Sequence, residues 1–411
     1  MQTTRVCSDM SVLTTVVVCF LLGSGGPEAR AASNSYIDFG RYDTYGELSV
    51  AEQDGVTVGK LAGEAGEVIL ASAPYTAYDG SGSYNGGSYY WGWMTSPVYA
   101  TATPFDTLVP SWEAATPAGT WIELEVRVRS GGAWTPWFGM GVWAADTGSV
   151  ARHSVNAQRG GAWQVLTDTL RGRGLALADA YQYRLTLFTQ QPGVSPLVRG
   201  VSVAASDSQR HGENLGVVGT GSWGWELEVP TRSEMVYEGG GEWWCSPASL
   251  SMVMAYWAGS TSAPELDQPV PVVAAGTYDH AYRGWGNWPF NTAYASAYGL
   301  RATVSRFSSI DQVEWWIDAG IPVVASMAWD NGYGEQTLSG APLQSSDGHL
   351  LVILGFDSSG NVIVNDPAGS DDSEVRRVYP RDEFARAWFS GSGGIVYLVY
   401  PVGWSTPSPA S

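Results

Sequence analysis

Gly239-Gly240-Gly241-Glu242-Trp243-Trp244-Cys245-Ser246-Pro247-Ala248-Ser249-Leu250 is the stretch on which the reading of the chain turns. Three glycines and two tryptophans deliver a cysteine to the start of a helix. From Leu250 the apolar residues recur at Val253, Met254 and Trp257, one face of a 3.6-residue period. Pro247 suits a first helical turn, where its missing N–H would lack a partner anyway. Cys245 therefore falls at or just before the helix N-terminus. Unpaired amides and the positive end of the helix dipole favour an anion there, which for a cysteine is the nucleophilic thiolate. The competing reading is a buried structural cysteine, a common fate for this residue.

Cysteine usage sharpens the choice. The 411 residues hold three cysteines, Cys7, Cys19 and Cys245. The first two lie in residues 1–32, which read as an export signal: Arg5 in the n-region, a short apolar run from Val12 to Leu22, and Ala29-Arg30-Ala31 as the cleavage site. That run is too short for a permanent membrane anchor, and no later segment is apolar enough to span. A secreted protein is expected, without integral membrane association. With one thiol left it cannot form an internal disulfide, so Cys245 is expected to be reactive or to bridge to another chain.

Forty acidic residues against 21 basic ones give a formal charge of −19. Such a surface repels phosphate backbones, so no nucleic-acid partner is expected. No His-Glu-x-x-His, paired-cysteine or clustered-carboxylate spacing is present, and the triple glycine lacks the lysine of a nucleotide loop. Neither a metal nor a cofactor is expected. The 51 glycines and the 51 aromatic residues point to a strand-rich, turn-rich protein.

Two domains are expected. Ile122, Leu124, Val126 and Val128 alternate with Glu123, Glu125, Arg127 and Arg129, a strand with one buried and one wet face. Tyr183, Leu185 and Leu187 alternate in the same way, and Val198 to Ala204 closes the series. Short alternating strands argue for an N-terminal antiparallel β-sandwich over residues 33–206, an accessory or binding domain. Its tryptophans are expected mainly in the core, with a flat platform for sugar rings or peptide as the alternative. Residues 207–222 read as a linker, residues 223–403 as an α+β domain, and 404–411 as a loose tail. Helices are expected after Cys245, over Asn291–Tyr298 and over Ile310–Ala319. Strands are expected at Ile321–Met327, His349–Phe356, Asn361–Asn365 and Ile395–Tyr400, giving helices first and antiparallel strands after.

A thiol nucleophile needs a base, and the base needs a group to hold its tautomer. The second domain offers His280, on an aromatic loop, and His349, at the entrance of an apolar strand that would fix its backbone. His349 is the better placed. If Ser358 and Ser359 centre the following turn, Asp366 faces Leu351, on the same side of the sheet as His349. Asn365 then points to the opposite face, and a one-residue slip would exchange them. A turn-capping role is the alternative for Asp366.

Together, Gly-Gly-Gly-Glu-Trp-Trp-Cys-Ser-Pro-Ala-Ser, Gly-His-Leu-Leu-Val-Ile-Leu-Gly-Phe and Val-Asn-Asp-Pro resemble the papain-like cysteine peptidases of the bacteriocin-leader-processing, C39-like family. The resemblance spans about Val229 to Tyr400 and is greatest to the stand-alone secreted domains of actinomycete-type bacteria. Residues Leu108 to Ala204 resemble the domain that accompanies them. The resemblance implies Cys245 as nucleophile, His349 as general base and acid, and Asp366 as orienter. Trp244 and Gly348, beside the cysteine and the histidine, are expected substrate contacts. Where the family carries an oxyanion-hole glutamine after a Val-Pro pair, this chain has Glu234. An ionised carboxylate there would repel the oxyanion and cost about a hundredfold in rate, unless burial keeps it protonated or the Cys245 N–H serves instead.

Three functions follow as expectations: a monomeric secreted thiol hydrolase acting on a peptide or cell-wall amide, a weak or inactive peptidase-like binding protein of the cell surface, and acyl transfer to an amine through the same triad.

Overall fold

The alternation that marks Thr120–Ser130 as a strand also fixes which of its faces is buried. Ile122, Leu124, Val126 and Val128 are fully buried, while the glutamates and arginines between them are only partly covered. The structure, a computed structural model, describes residues 36–72, 74–210, 223–333 and 336–407. The export-signal reading, most of the 207–222 linker and the end of the tail lie outside these residues.

Thr120–Ser130 pairs with Ala178–Thr189, which pairs in turn with Ser88–Thr95, at the centre of an eight-stranded antiparallel sheet. A second eight-stranded sheet centres on Thr107–Ala115 and Leu197–Ser206. Side chains from both, among them Leu124, Val126, Leu108 and Val203, enter one hydrophobic core. Residues 33–73 carry few sequence periods, yet they contribute four strands and the helix Tyr45–Ser49. That helix is set by a capping box between Thr44 and Glu47, a local hydrogen-bond device with no apolar period to betray it.

A seven-stranded antiparallel sheet follows, with Val323–Asp330, Ser345–Phe356 and Val362–Asn365 side by side. Elements alternate here more than the sequence suggests. Strand Leu300–Arg306 lies between helices Trp288–Ala297 and Ile310–Asp318, and helix Arg381–Ser392 comes after the histidine hairpin. The expected order of helices before strands is therefore corrected to an interleaved one. Helix Val270–Thr277 was hidden by its β-branched residues, which favour strand locally.

The helix Cys245–Thr261 is also not the one-faced helix its apolar spacing suggests. Ser246 to Ala255 are buried without a break. The serines of this buried stretch face protein, and each has a partner. Ser246 bonds the Tyr397 hydroxyl at 2.9 Å, Ser249 donates to Leu350 O at 3.0 Å, and Ser251 to Gln268 O at 2.7 Å. Buried hydroxyls satisfied in this way cost little and fix the helix rotation.

The described residues form one compact unit, with a core running through all three sheets. Phe290 sits against Trp112 and Trp143, with ring centroids 6.1 and 5.3 Å apart. Glu113, 4% exposed, joins the two sequence regions by accepting from Arg41 at 2.7 Å, Arg301 at 3.0 Å and the Ala302 N–H at 3.2 Å. Removing one partner from such a buried network leaves uncompensated charge, at a cost of about 3–5 kcal/mol. Glu113→Ala is therefore expected to lower stability by that amount, and the wild type to unfold in a single denaturant transition. Two well-separated transitions, or a loss below about 1 kcal/mol, would contradict this account of the interface.

Candidate active site

Cys245 is the first residue of its helix, with Trp244 as the N-cap. It is the free cysteine of the described residues and is half-buried. The Ser249–Leu350 bond fastens this helix to the strand that carries the histidine, one residue beyond His349.

His349 is the fifth residue of strand Ser345–Phe356, not its opening one. Pairing with Val323–Asp330 shifts between Met327 and Trp329, so that Asp347 and Gly348 together face Ala328. A bulge of this kind re-aims the neighbouring side chain. The His349 ring meets Trp329 edge-on at 5.3 Å and is 2% exposed.

Asp366 reaches His349 by a register that corrects itself. The turn runs over Asp357–Asn361, with Phe356 opposite Val362, one residue wider than a turn centred on Ser358 and Ser359. Gly360 takes the left-handed conformation this needs, at φ +81°, with the Trp223 ring covering it. A bulge at Leu354 then removes the extra residue, and Val352 faces Asn365. Asp366 follows on the His349 side. Asn365 turns away and donates to Val229 O at 3.0 Å.

The result is a chain of three groups. His349 Nε2 lies 2.7 Å from Asp366 Oδ1, and Cys245 is near enough to act on the same ring. Asp366 is fully buried. Its Oδ1 also accepts from the Ala368 N–H at 3.0 Å, and its Oδ2 from the Tyr379 hydroxyl at 2.6 Å. Burial alone would raise the Asp366 carboxyl, but His349, Tyr379 and Ala368 outweigh it and hold the pKa below the ordinary carboxylate range. Burial likewise pulls His349 downward, and Asp366 with Cys245 overcomes it, leaving the imidazole well above its usual value. An ionised Asp366 is acceptor only, so Nε2 carries a hydrogen and Nδ1 is left for the cysteine. Tyr379 was not singled out in the sequence. Its strand, Arg376–Tyr379, alternates too briefly to show which residue faces Asp366.

Glu234 lies at the same place. It is 1% exposed, its N–H bonds Pro367 O at 2.9 Å, and its Oε2 is buried with no partner. Burial, with Asp366 and Glu242 adding, raises its pKa to about 7 against the lowering effects of His349 and the Trp244 backbone. Trp244 lies tilted to Tyr237 and edge-on to Trp285, at 5.8 and 6.0 Å. Gly348 is exposed beside the histidine, with open space where a Cβ would stand. His280 is apart from the group: exposed, edge-on to Tyr278 at 5.0 Å, with burial and Arg152 lowering its pKa.

The loop bearing His280 rests on the N-terminal sheets. Asp279 Oδ1 accepts from the N–H groups of Ser154, Ala281 and Tyr282, and its Oδ2 from the Asn287 side chain. Asp168 accepts the Trp288 N–H at 2.9 Å. Tyr282, on this loop, is close enough to Cys245 to feel its charge.

A carboxyl raised on folding holds its proton while the unfolded chain has released it. Glu234 therefore favours the folded state least above pH 7, and its contribution declines as pH rises from about 4.5 through about 7. Glu234→Gln is expected to match wild-type stability near pH 5 and to exceed it by on the order of 3 kcal/mol at pH 9. Urea titrations at the two pH values check this; a constant difference would mean that Glu234 titrates normally.

A profile of the peptidase C39 N-terminal domain matches residues 38–206, and one of the Peptidase C39-like family matches residues 226–393. No curated protein matches the chain. Among solved structures, a protein from Bacillus anthracis described as a C39-like peptidase is 18% identical, with a TM-score of 0.31, over 42% of this chain and 97% of its own. The C-terminal CBM6 of LamC, a marine laminarinase from Zobellia galactanivorans, is 13% identical, with a TM-score of 0.20, over 40% and 98%. Likenesses at these scores carry no argument about chemistry. The two profiles identify parts of the chain: residues 226–393 form a Peptidase C39-like domain, and residues 38–206 the N-terminal domain that goes with it.

Proposed function

We propose that this protein is a secreted cysteine peptidase that hydrolyses an amide bond of a peptide or cell-wall substrate. The fold this reading assumes is a β-sandwich followed by a papain-like α+β domain. Its main support is one observation: the 2.7 Å bond between His349 and the buried Asp366, with Cys245 near enough to act on the same imidazole.

His349 Nδ1 takes the Cys245 proton, and the sulfur attacks the carbonyl carbon. The carbonyl π-electrons move to oxygen, where the Cys245 N–H and a protonated Glu234 Oε2 donate to the oxyanion. Collapse of the tetrahedral intermediate breaks the C–N bond, and His349 passes its proton to the leaving amine. His349 then deprotonates a water molecule whose oxygen adds to the thioester carbon; the C–S bond breaks, releasing the acid, and the imidazolium returns its proton to sulfur. Asp366 keeps its charge throughout, held by Tyr379 and the Ala368 amide. The N-terminal 32 residues would direct export, and the enzyme would act as a monomer.

The second reading, a catalytically weak binding protein, is favoured by Glu234 itself, because an acid with a pKa of about 7 is half ionised at neutral pH. The two readings part on a single set of variants. With a fluorogenic peptide panel and purified peptidoglycan, the first expects Cys245→Ala to abolish turnover, and wild-type kcat/KM to fall as pH rises through about 7. Glu234→Gln, which donates at any pH, is expected to remove that decline and to gain about tenfold or more at pH 8.5. Equal behaviour of wild type and Cys245→Ala would leave the binding reading standing.

A further inference from the structure

The outward face of the sheet centred on Ala178–Thr189 is not a uniformly wet surface. Register sets its side chains in rows across three strands: Trp121, Phe188 and Trp91, then Glu123, Thr186 and Trp93, then Glu125, Arg184 and Thr95. The first row is capped by Tyr84, whose ring lies 5.7 Å from Trp121 and 5.0 Å from Phe188. Beyond the third row Trp137 covers two guanidinium groups, those of Arg127 at 4.6 Å and Arg184 at 4.7 Å. Between these aromatic ends runs an open groove of about 540 Å³, with Thr186 and Trp93 in its lining. That volume falls within the range of small-molecule sites, about 300–1,000 Å³.

The groove's chemistry narrows the ligand. Among the described residues, its apolar lining is entirely aromatic; no aliphatic side chain contributes. The cations are already engaged. Arg184 binds Glu125 at 2.6 Å, and Arg127 is held by the Gln182 carbonyl at 2.6 and 3.0 Å; with Glu52, Glu123 and Glu125 lining the same groove, carboxylates outnumber guanidinium groups and an anion is disfavoured. Glu123 accepts from the Tyr84 hydroxyl at 2.7 Å through Oε2. The central strand is paired on both sides, so its amides cannot take on a peptide as an added strand. What remains is a set of ring faces beside fixed carboxylates and hydroxyls. A pyranose presents the complement, an apolar C–H face for an indole and a rim of hydroxyls for carboxylate and guanidinium groups.

We infer that this groove binds an uncharged oligosaccharide, with Trp93 and Trp137 as stacking surfaces and Glu123 as a hydroxyl acceptor. The site is separate from Cys245 and does not rest on the thiol chemistry. It gives the N-terminal sheets a role of their own: holding the protein on a glycan.

Calorimetric titration of the full chain tests this with hexasaccharides of β-1,4-linked glucose, β-1,3-linked glucose and β-1,4-linked N-acetylglucosamine, and with an unstructured hexapeptide as the competing class. At least one glycan is expected to bind at micromolar to millimolar concentration, equally well to wild type and Cys245→Ala. Trp93→Ala and Trp137→Ala are each expected to weaken it by tenfold or more. Trp137 lies in the connection between strands Ala133–Trp134 and Phe138–Trp143, so its variant decides the matter if Trp93→Ala fails to fold. No glycan binding at millimolar concentration, binding undiminished in the folded variants, or binding of the peptide alone would overturn the inference.

Discussion

A carboxylate with no exposure to water is the constraint to which the site answers. Asp366 cannot remain charged in the interior unless its oxygens are met by donors. Three meet it: an imidazole, a phenol and a backbone amide. Each comes from a different piece of chain, and each is thereby fixed in position. Tyr379 ties down the strand Arg376–Tyr379, Ala368 closes the turn after Pro367, and His349 is held with one nitrogen committed. The other nitrogen is left for Cys245, whose helix is bolted to the same strand through Ser249 and Leu350. Satisfying one buried charge thus orients the imidazole, which is the geometry that nucleophilic catalysis by a thiol requires.

Much of this was legible in the sequence, because the signals are local. The cysteine before Ser-Pro announces a helix start, the apolar run after His349 announces a strand, and the Asp-Ser-Ser-Gly turn announces a hairpin. Their convergence depends on register, and there the sequence was a weaker guide. The turn is one residue wider than its composition suggests, and the bulge at Leu354 compensates for it. Two offsetting irregularities placed Asp366 where a simple hairpin would have put it. Neither could be read from Leu-Gly-Phe, since a bulge has no composition of its own. Tyr379 was invisible for a related reason: its role comes from a strand too short to display a face. The uninterrupted burial of Ser246 to Ala255 has no sequence signature because serines count as polar in any period, whereas the hydroxyls of Ser246, Ser249 and Ser251 are satisfied inside.

The N-terminal sheets and the peptidase-like part are also more closely bound than a linker implies. Asp279, buried and saturated with donors, is held by the Ser154 N–H from the N-terminal side. Arg152 reaches across to Ala275 O at 3.0 Å, and Asp168 receives the Trp288 N–H. These contacts bracket the aromatic loop that carries Tyr278, Tyr282 and Trp285, and Trp285 meets Trp244 beside the cysteine. One wall beside the thiol therefore owes its shape to residues more than a hundred positions upstream in the chain. Loss of the N-terminal sheets would remove these anchors as well as any ligand those sheets hold.

Glu234 and Asp366 show what such positioning does to acids of similar intrinsic strength. Both are buried, and both interact with the same imidazole. Asp366 has three hydrogen-bond donors and is held as an anion. Glu234 has a buried oxygen without a partner, and its carboxyl is driven toward the neutral form. Desolvation acts in the same direction on each; at Asp366 the His349 charge and the three donors outweigh it, whereas at Glu234 it prevails, with the Asp366 charge adding to the rise. Two neighbouring acids with opposed shifts form a division of labour, with one group permanently charged to orient the base and one able to carry a proton near neutrality. A glutamine in place of Glu234 would present an N–H at every pH. A glutamic acid presents an O–H only while protonated, so under the proposed mechanism the donor to the oxyanion depends on the acidity of the surroundings.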